Sequence, residues 1–183
     1  MFLTFLSAFL IVIGFLIGSQ GLTSALVPVI AVLLLADLYI GTATVGRLRD
    51  ASAEELQCVR GMNRIRHAYR EMVPGLEPYF VTGFHDDAEG VLAGYGGIRR
   101  SPMGHVLHSF TTAIGLVATI ESFVIGAFVT VVTLGLGATY ALAIALGLVA
   151  SIVGFVVFAV VGIQTALGRQ RAARAMFPTP PTE

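Results

Sequence analysis

The chain of 183 residues has no lysine, a single cysteine and long stretches almost free of charge. Cys58 standing alone excludes an intrachain disulfide and a thiolate metal cluster. Charged side chains make up 12% of the residues and hydrophobic ones 56%. Soluble domains carry about a quarter charged residues, so an ordinary soluble fold is excluded as well. All eleven cationic side chains are arginines, confined to the stretches Arg47 to Arg100 and Arg169 to Arg174. What charge remains elsewhere is sparse and pointed. Between Met1 and Val45 the only charged residue is Asp37, and between Val106 and Leu167 it is Glu121.

A helix needs about 20 mostly apolar residues to cross the hydrocarbon core. Each block is long enough for two crossings, the first broken at Gly18-Ser-Gln-Gly-Leu-Thr-Ser24 and the second at Leu134-Gly-Leu-Gly-Ala-Thr139. The expectation is an all-α membrane protein with four transmembrane helices in two hairpins and an amphipathic cytoplasmic helix between them. The spans fall near Phe2 to Ile17, Thr23 to Val45, His108 to Leu134 and Tyr140 to Leu167. This divides the chain into a hairpin (1–46), a cytoplasmic loop (47–105), a second hairpin (106–168) and a tail (169–183).

Arginine-rich segments stay on the cytoplasmic side. With arginines in the central loop and the tail and none in the short turns, both termini face the cytoplasm, as for a bacterial plasma-membrane protein. The outer face then reduces to two uncharged turns, which excludes an ectodomain receptor. Ser19-Gln-Gly21 resembles a signal cleavage site, but no basic segment precedes the first span and a second apolar run follows at once.

Helices in lipid associate where small residues let backbones approach. Gly14 and Gly18 form a GxxxG in the first span, and Ala143, Gly147 and Ser151 recur in the fourth with Ala150 and Gly154 alongside. In the third span His108, Thr112, Gly115, Thr119, Ser122, Gly126 and Thr133 share one stripe, read as a tight seam with back-bonded hydroxyls rather than a pore wall. Gly14, Gly18, Gly115, Gly126, Gly147 and Gly154 are the candidate packing positions. Pro28, near the outer end of the second span, predicts a kink or a loosened first turn there.

Glu121 lies thirteen residues past His108, roughly 20 Å into the membrane, and Asp37 roughly 15 Å from the same side, at about 1.5 Å per residue. An acid inside the bilayer is expensive and marks a functional site by default. No arginine, lysine or histidine lies at that depth. Each acid then needs a proton, a cation, water or a partner's cation, or else serves as a neutral interhelical pin. Glu121 falls opposite the hydroxyl stripe, so the two cannot face one pore.

In the loop, Ser52 with Glu55 predicts a capped helix over 53–73, stopped by Pro74. Its wheel places Cys58, Met62, Ile65, Tyr69, Met72 and Val73 on one face. Arg60, Arg64 and Arg70 lie on the other, with Arg66 at the border. Such a helix fits an inner leaflet of anionic lipid or a protein partner. Nucleic acid is not favoured, because four arginines without aromatic platforms make a weak footprint. His85, Asp86 and Asp87 are weak metal candidates, and Asp86 with Glu89 reads more simply as a helix cap. Gly94 to Gly97 lacks the lysine of a phosphate loop. The tail reads as a basic anchor followed by a disordered Pro-Thr segment. No motif calls for a cofactor.

Three functions fit. The favoured one is an oligomeric cation or proton channel or transport subunit that uses Glu121 and Asp37. The alternatives are a non-catalytic assembly or regulatory subunit and an enzyme at the inner-leaflet interface. The enzyme ranks last because no nucleophile and base are paired and no metal motif is complete.

Overall fold

The computed structural model describes residues 2–21, 23–94, 112–172 and 174–180. The elements are α1 (Phe2–Gln20), α2 (Val27–Met72), a 3-10 turn (Glu77–Tyr79), α3 (Ala88–Gly94), α4 (Ala113–Gly135) and α5 (Tyr140–Ala172), with no strand among the described residues. Four of these helices, α1, α2, α4 and α5, are long and apolar enough to cross a membrane. The chain is consistent with an integral membrane protein. It divides into two compact units, 1–48 with 107–162 and 49–106 with 163–183.

In the first unit α2 and α4 are the inner helices. Buried residues make up 28% and 33% of their most apolar windows, against 6% for α1 and 11% for α5. Two apolar clusters hold them. One gathers Phe2, Val45, Val117 and Ala118, the other Leu26, Ile30, Leu34 and Val124. The clusters pair rising positions on α2 with falling positions on α4, so the two helices run in opposite directions.

The small-residue stripe of α4 packs on α5. A Cβ at Gly126 would collide with the Ser151 hydroxyl and lie 2.6 Å from the Gly147 carbonyl, and one at Gly147 would collide with Thr130. Gly154 meets Ile125. The hydroxyls of Thr119, Ser122, Thr130 and Thr133 donate to carbonyls one turn back at 2.7–2.9 Å, which removes their polarity from the seam. Gly115 sits behind the N-cap, its N–H donating to the Thr112 hydroxyl at 3.1 Å. Gly14 and Gly18 meet nothing within 4 Å. His108 lies outside the described residues, as do the loop positions after Gly94.

Local chemistry explains the helix ends. Pro28 is the second residue of α2, where its missing N–H has no intrahelical partner to lose, so no kink is needed. At the end of α4, Gly137 takes φ +87, a conformation that side chains with a Cβ resist. Gly137 N–H then reaches the Leu134 carbonyl and Ala138 N–H reaches that of Thr133, the paired bonds of a Schellman ending.

The largest departure from the sequence expectation is α2. Its 46 residues form one helix, so no new helix opens at Ser52, and Glu55 completes no cap.

In the second unit the polar face of α2 is the one covered. Asn63 is fully buried and donates to the His85 carbonyl at 2.7 Å. Arg64 Nε donates to Asp86 at 2.7 Å and its other nitrogen to the Arg174 carbonyl. Arg66 donates to Asn63 Oδ1, and Arg70 pairs with Glu77 at 3.1 Å and lies over the Phe84 ring. His67 stacks on Phe177 at 4.0 Å. Met62, Ile65, Tyr69, Met72 and Val73 remain 46–65% exposed. Arg64 and Arg70 thus reach the chain's own loop and tail, with side chains still 41% and 42% exposed.

The tail also departs from the expected disorder over residues 174–180. Asp86 accepts from the backbone N–H groups of Met176 and Phe177. Asp87 accepts from the N–H and hydroxyl of Thr179.

Candidate functional site

Asp37 on α2 and Glu121 on α4 are both fully buried. The sequence places them at one depth, and the fold brings them within electrostatic range of one another. Glu121 leans its carboxylate on Gly41, and a Cβ built there would overlap it. Gly41 is one helical turn beyond Asp37, so both acids address the same strip of α2. Among the described residues none of the four carboxylate oxygens has a hydrogen-bond partner. A buried polar atom left unpaired is rare and costly, by about 1–3 kcal/mol for a neutral group and more for a charged one.

The apolar clusters close the pair in along the helix axes. Leu34 and Val124 lie to one side of the acids in sequence, and Val45, Val117 and Ala118 to the other. The spans of α1 and α5 contribute no charged residue, and α2 and α4 contribute only the acids themselves between Val27 and Gly46 and between Ala113 and Gly135. The hydroxyl stripe of α4 faces α5 while its acid faces α2, so stripe and acid serve different neighbours. Gly41 escaped sequence reading, although a glycine one turn from an intramembrane acid was the available signal.

The other candidates of the loop resolve differently. Among the described residues no three His, Cys, Asp or Glu side chains gather as metal ligands. Asp86 is taken up by Arg64 and the tail. Burial pushes its carboxyl up, but the N–H groups of Met176 and Phe177 and the Arg64 guanidinium outweigh that and hold it below its ordinary range. Burial likewise raises Asp87, and the Gly90 N–H and the two Thr179 donors overcome it. The residue that caps α3 is Asp87, bonded to Gly90 N–H at 2.9 Å, one position after the Asp86 expected. His85 lends its carbonyl to Asn63. Asn63 was placed only on the polar face of its helix, and Phe177 and Thr179 were not singled out from the sequence, because their roles depend on contacts across distant segments.

No protein family, curated protein or solved structure matches this chain, so the reading of the site rests on its own residues.

Proposed function

We propose that this chain is a subunit of an oligomeric membrane protein that binds or relays a cation or proton at the Asp37–Glu121 pair. In this reading the four apolar helices form two membrane hairpins, with both termini on the cytoplasmic side of a bacterial plasma membrane. The arginine-rich segments then face an inner leaflet of anionic lipid. Four small helices enclose little space, which favours assembly of several copies.

The observation that carries the proposal is the set of four buried carboxylate oxygens with no partner. Moving an ion of this size from water to a dry site costs several kcal/mol even after relaxation. Two such groups within electrostatic range of one another, with no arginine, lysine or histidine at their depth in the four spans, call for something positive beside them. A neutral interhelical pin would instead bond a hydroxyl or carbonyl, and among the described residues neither acid does.

The test is ion and proton flux into liposomes holding the purified protein. Glu121→Gln is expected to reduce flux by about tenfold or more, in line with the loss of an essential charge on an ion path. Flux that is unchanged in Glu121→Gln overturns the proposal. Wild-type protein that passes no ion but co-purifies with a defined membrane partner transfers the weight to the assembly-subunit reading.

A further inference from the structure

A regular stripe runs along the second half of α2, where Cys58, Met62, Ile65, Tyr69 and Met72 advance by four, three, four and three residues. That is the period of about 3.5 by which one helix keeps a narrow seam turned toward another, with Met62 and Tyr69 in one set of seam positions and Cys58, Ile65 and Met72 in the other. The stripe lies opposite the face that Asn63 and His67 turn to the loop and tail. Met62, Ile65, Tyr69 and Met72 are 46–65% exposed, and Cys58 is exposed with them. We propose that this seam is a contact between two copies of the chain, α2 against α2 in parallel.

The flanks of the seam suit a second helix. On one side lie Gly61 and Ala68, and nothing stands within 4 Å of a Cβ built at Gly61, so a neighbour can come close. On the other lie Val59, Arg66 and Val73. Arg66 is the one charge among these flanking positions, and it selects the direction. An antiparallel pairing of the same seam sets the two Arg66 guanidinium groups beside each other, a like-charge juxtaposition, whereas a parallel pairing sets Arg66 against Gly61. A membrane imposes the same direction. The apolar half of α2 fits a crossing and the helix runs unbroken to Met72, so copies inserted the same way carry the seam out of the membrane in parallel.

The area is sufficient for this partner. At these exposures the seam offers roughly 500 Å² per copy, so two copies bury about 1,000 Å², the lower bound for a specific interface. Holding both copies in one membrane raises their effective concentration, which lets a contact of that size persist. Anionic lipid is a poorer occupant. Arg64 and Arg70 turn to Asp86 and Glu77 on the other side of the helix, which leaves Arg66 alone beside the seam to meet headgroups. The contact takes from the proposed function only that copies share a membrane in one orientation, and it needs no ion path.

Cys58 is the only cysteine and stands in the seam, so the unaltered chain carries its own reporter. The full-length protein in liposomes, with lipid in large excess, is treated with copper(II) phenanthroline. Two Cys58 thiols give two electrons to two copper(II) ions and two protons to water as one disulfide forms. A disulfide-linked dimer is expected, because matched seam positions bring the two β-carbons together. With the thiol moved one residue, in Cys58→Ser with Gln57→Cys, the rate is expected to fall by about tenfold or more, since those β-carbons point apart. Ile65→Glu and Tyr69→Glu change exposed side chains, their helix content is checked by circular dichroism, and each is expected to abolish the Cys58 crosslink. Absence of the wild-type crosslink, equal rates at positions 57 and 58, or a crosslink untouched by Ile65→Glu overturns the proposal. An unlinked Cys58 whose attached bimane is quenched by brominated acyl chains would assign the seam to lipid instead. A Cys58 dimer in a protein that passes no ion keeps the seam and removes transport, whereas Glu121-dependent flux without the dimer keeps transport and removes the seam.

Discussion

A single methylene separates an open from a blocked site at position 41. A Cβ there would overlap the carboxyl carbon and oxygens of Glu121, so Gly41→Ala forces that side chain out of its place. We expect Gly41→Ala to lower Glu121-dependent flux by about tenfold, since displacement by an ångström in a geometrically fixed site has effects of that order or larger. Gly46→Ala on the same helix is the control, because nothing lies within 4 Å of its Cβ position. Asp86 is the corresponding residue outside the membrane spans. Its acceptor bonds to two N–H groups and Arg64 predict that Asp86→Asn destabilises the fold by about 2 kcal/mol, the scale of one charge-assisted hydrogen bond, measured by thermal unfolding in detergent. The carboxyls of Asp86 and Asp87 titrate below their ordinary 3.8 in the fold. Their contribution is therefore complete above that pH and is lost as pH falls through their lower folded-state values. Release of residues 174–180, followed by hydrogen exchange at Met176 and Phe177, is expected only at pH below about 3.8 and not near pH 5. At this scale the acids were legible because each is the lone charge in a long apolar block. Gly41 was not, since a glycine in a membrane span is ordinary until its neighbour is known.

At the scale of elements, the α4–α5 seam and the α1 glycines make opposite predictions. A methyl group at Gly126 or Gly147 meets a backbone carbonyl of the facing helix at 2.6 and 2.8 Å, and a carbonyl cannot swing aside as a side chain can. Gly126→Ala and Gly147→Ala should each cost about 1–3 kcal/mol, as overpacking does in a tight core. Gly14→Ala and Gly18→Ala should leave the unfolding transition of the single chain unchanged. If α1 makes the contacts between copies, they should instead weaken chemical crosslinking of the oligomer. Unfolding in mixed detergent and crosslinking yields check the two sets. The seam was legible as a spacing of small and hydroxyl residues, because close backbone approach demands those side chains. The continuity of α2 was not. Sequence marks where apolar residues give way to arginines, but a change in polarity is not a break in the backbone, and after Gly46 only Gly61 interrupts helix-compatible residues before Pro74.

For the molecule as a whole, the chain's two units follow different rules of assembly. The unit built on α1, α4, the first half of α2 and most of α5 is held by apolar clusters and bare backbone contact, and composition alone foretold its class. The other is held by polar bonds between segments far apart in the chain, such as Arg64 with Asp86 and Asp86 with Met176. Composition could not foretell those partners: a Pro-Thr tail looks unstructured until two carboxylates are found accepting its N–H groups. A variant ending at Ala173 is expected to leave Asp86 and Asp87 short of donors and to open the stretch 84–90 to proteolysis. Limited digestion in detergent, compared with the full chain, checks this, and equal protection of the two would assign the tail no structural part.

The ridge of Met62, Ile65, Tyr69 and Met72 governs how the second unit behaves once separated from the first. The ridge itself carries no charged residue to keep neighbouring molecules apart, and apolar area of this kind drives self-association. An excised fragment in plain buffer would therefore clump, and a mild surfactant would be needed to keep it dispersed.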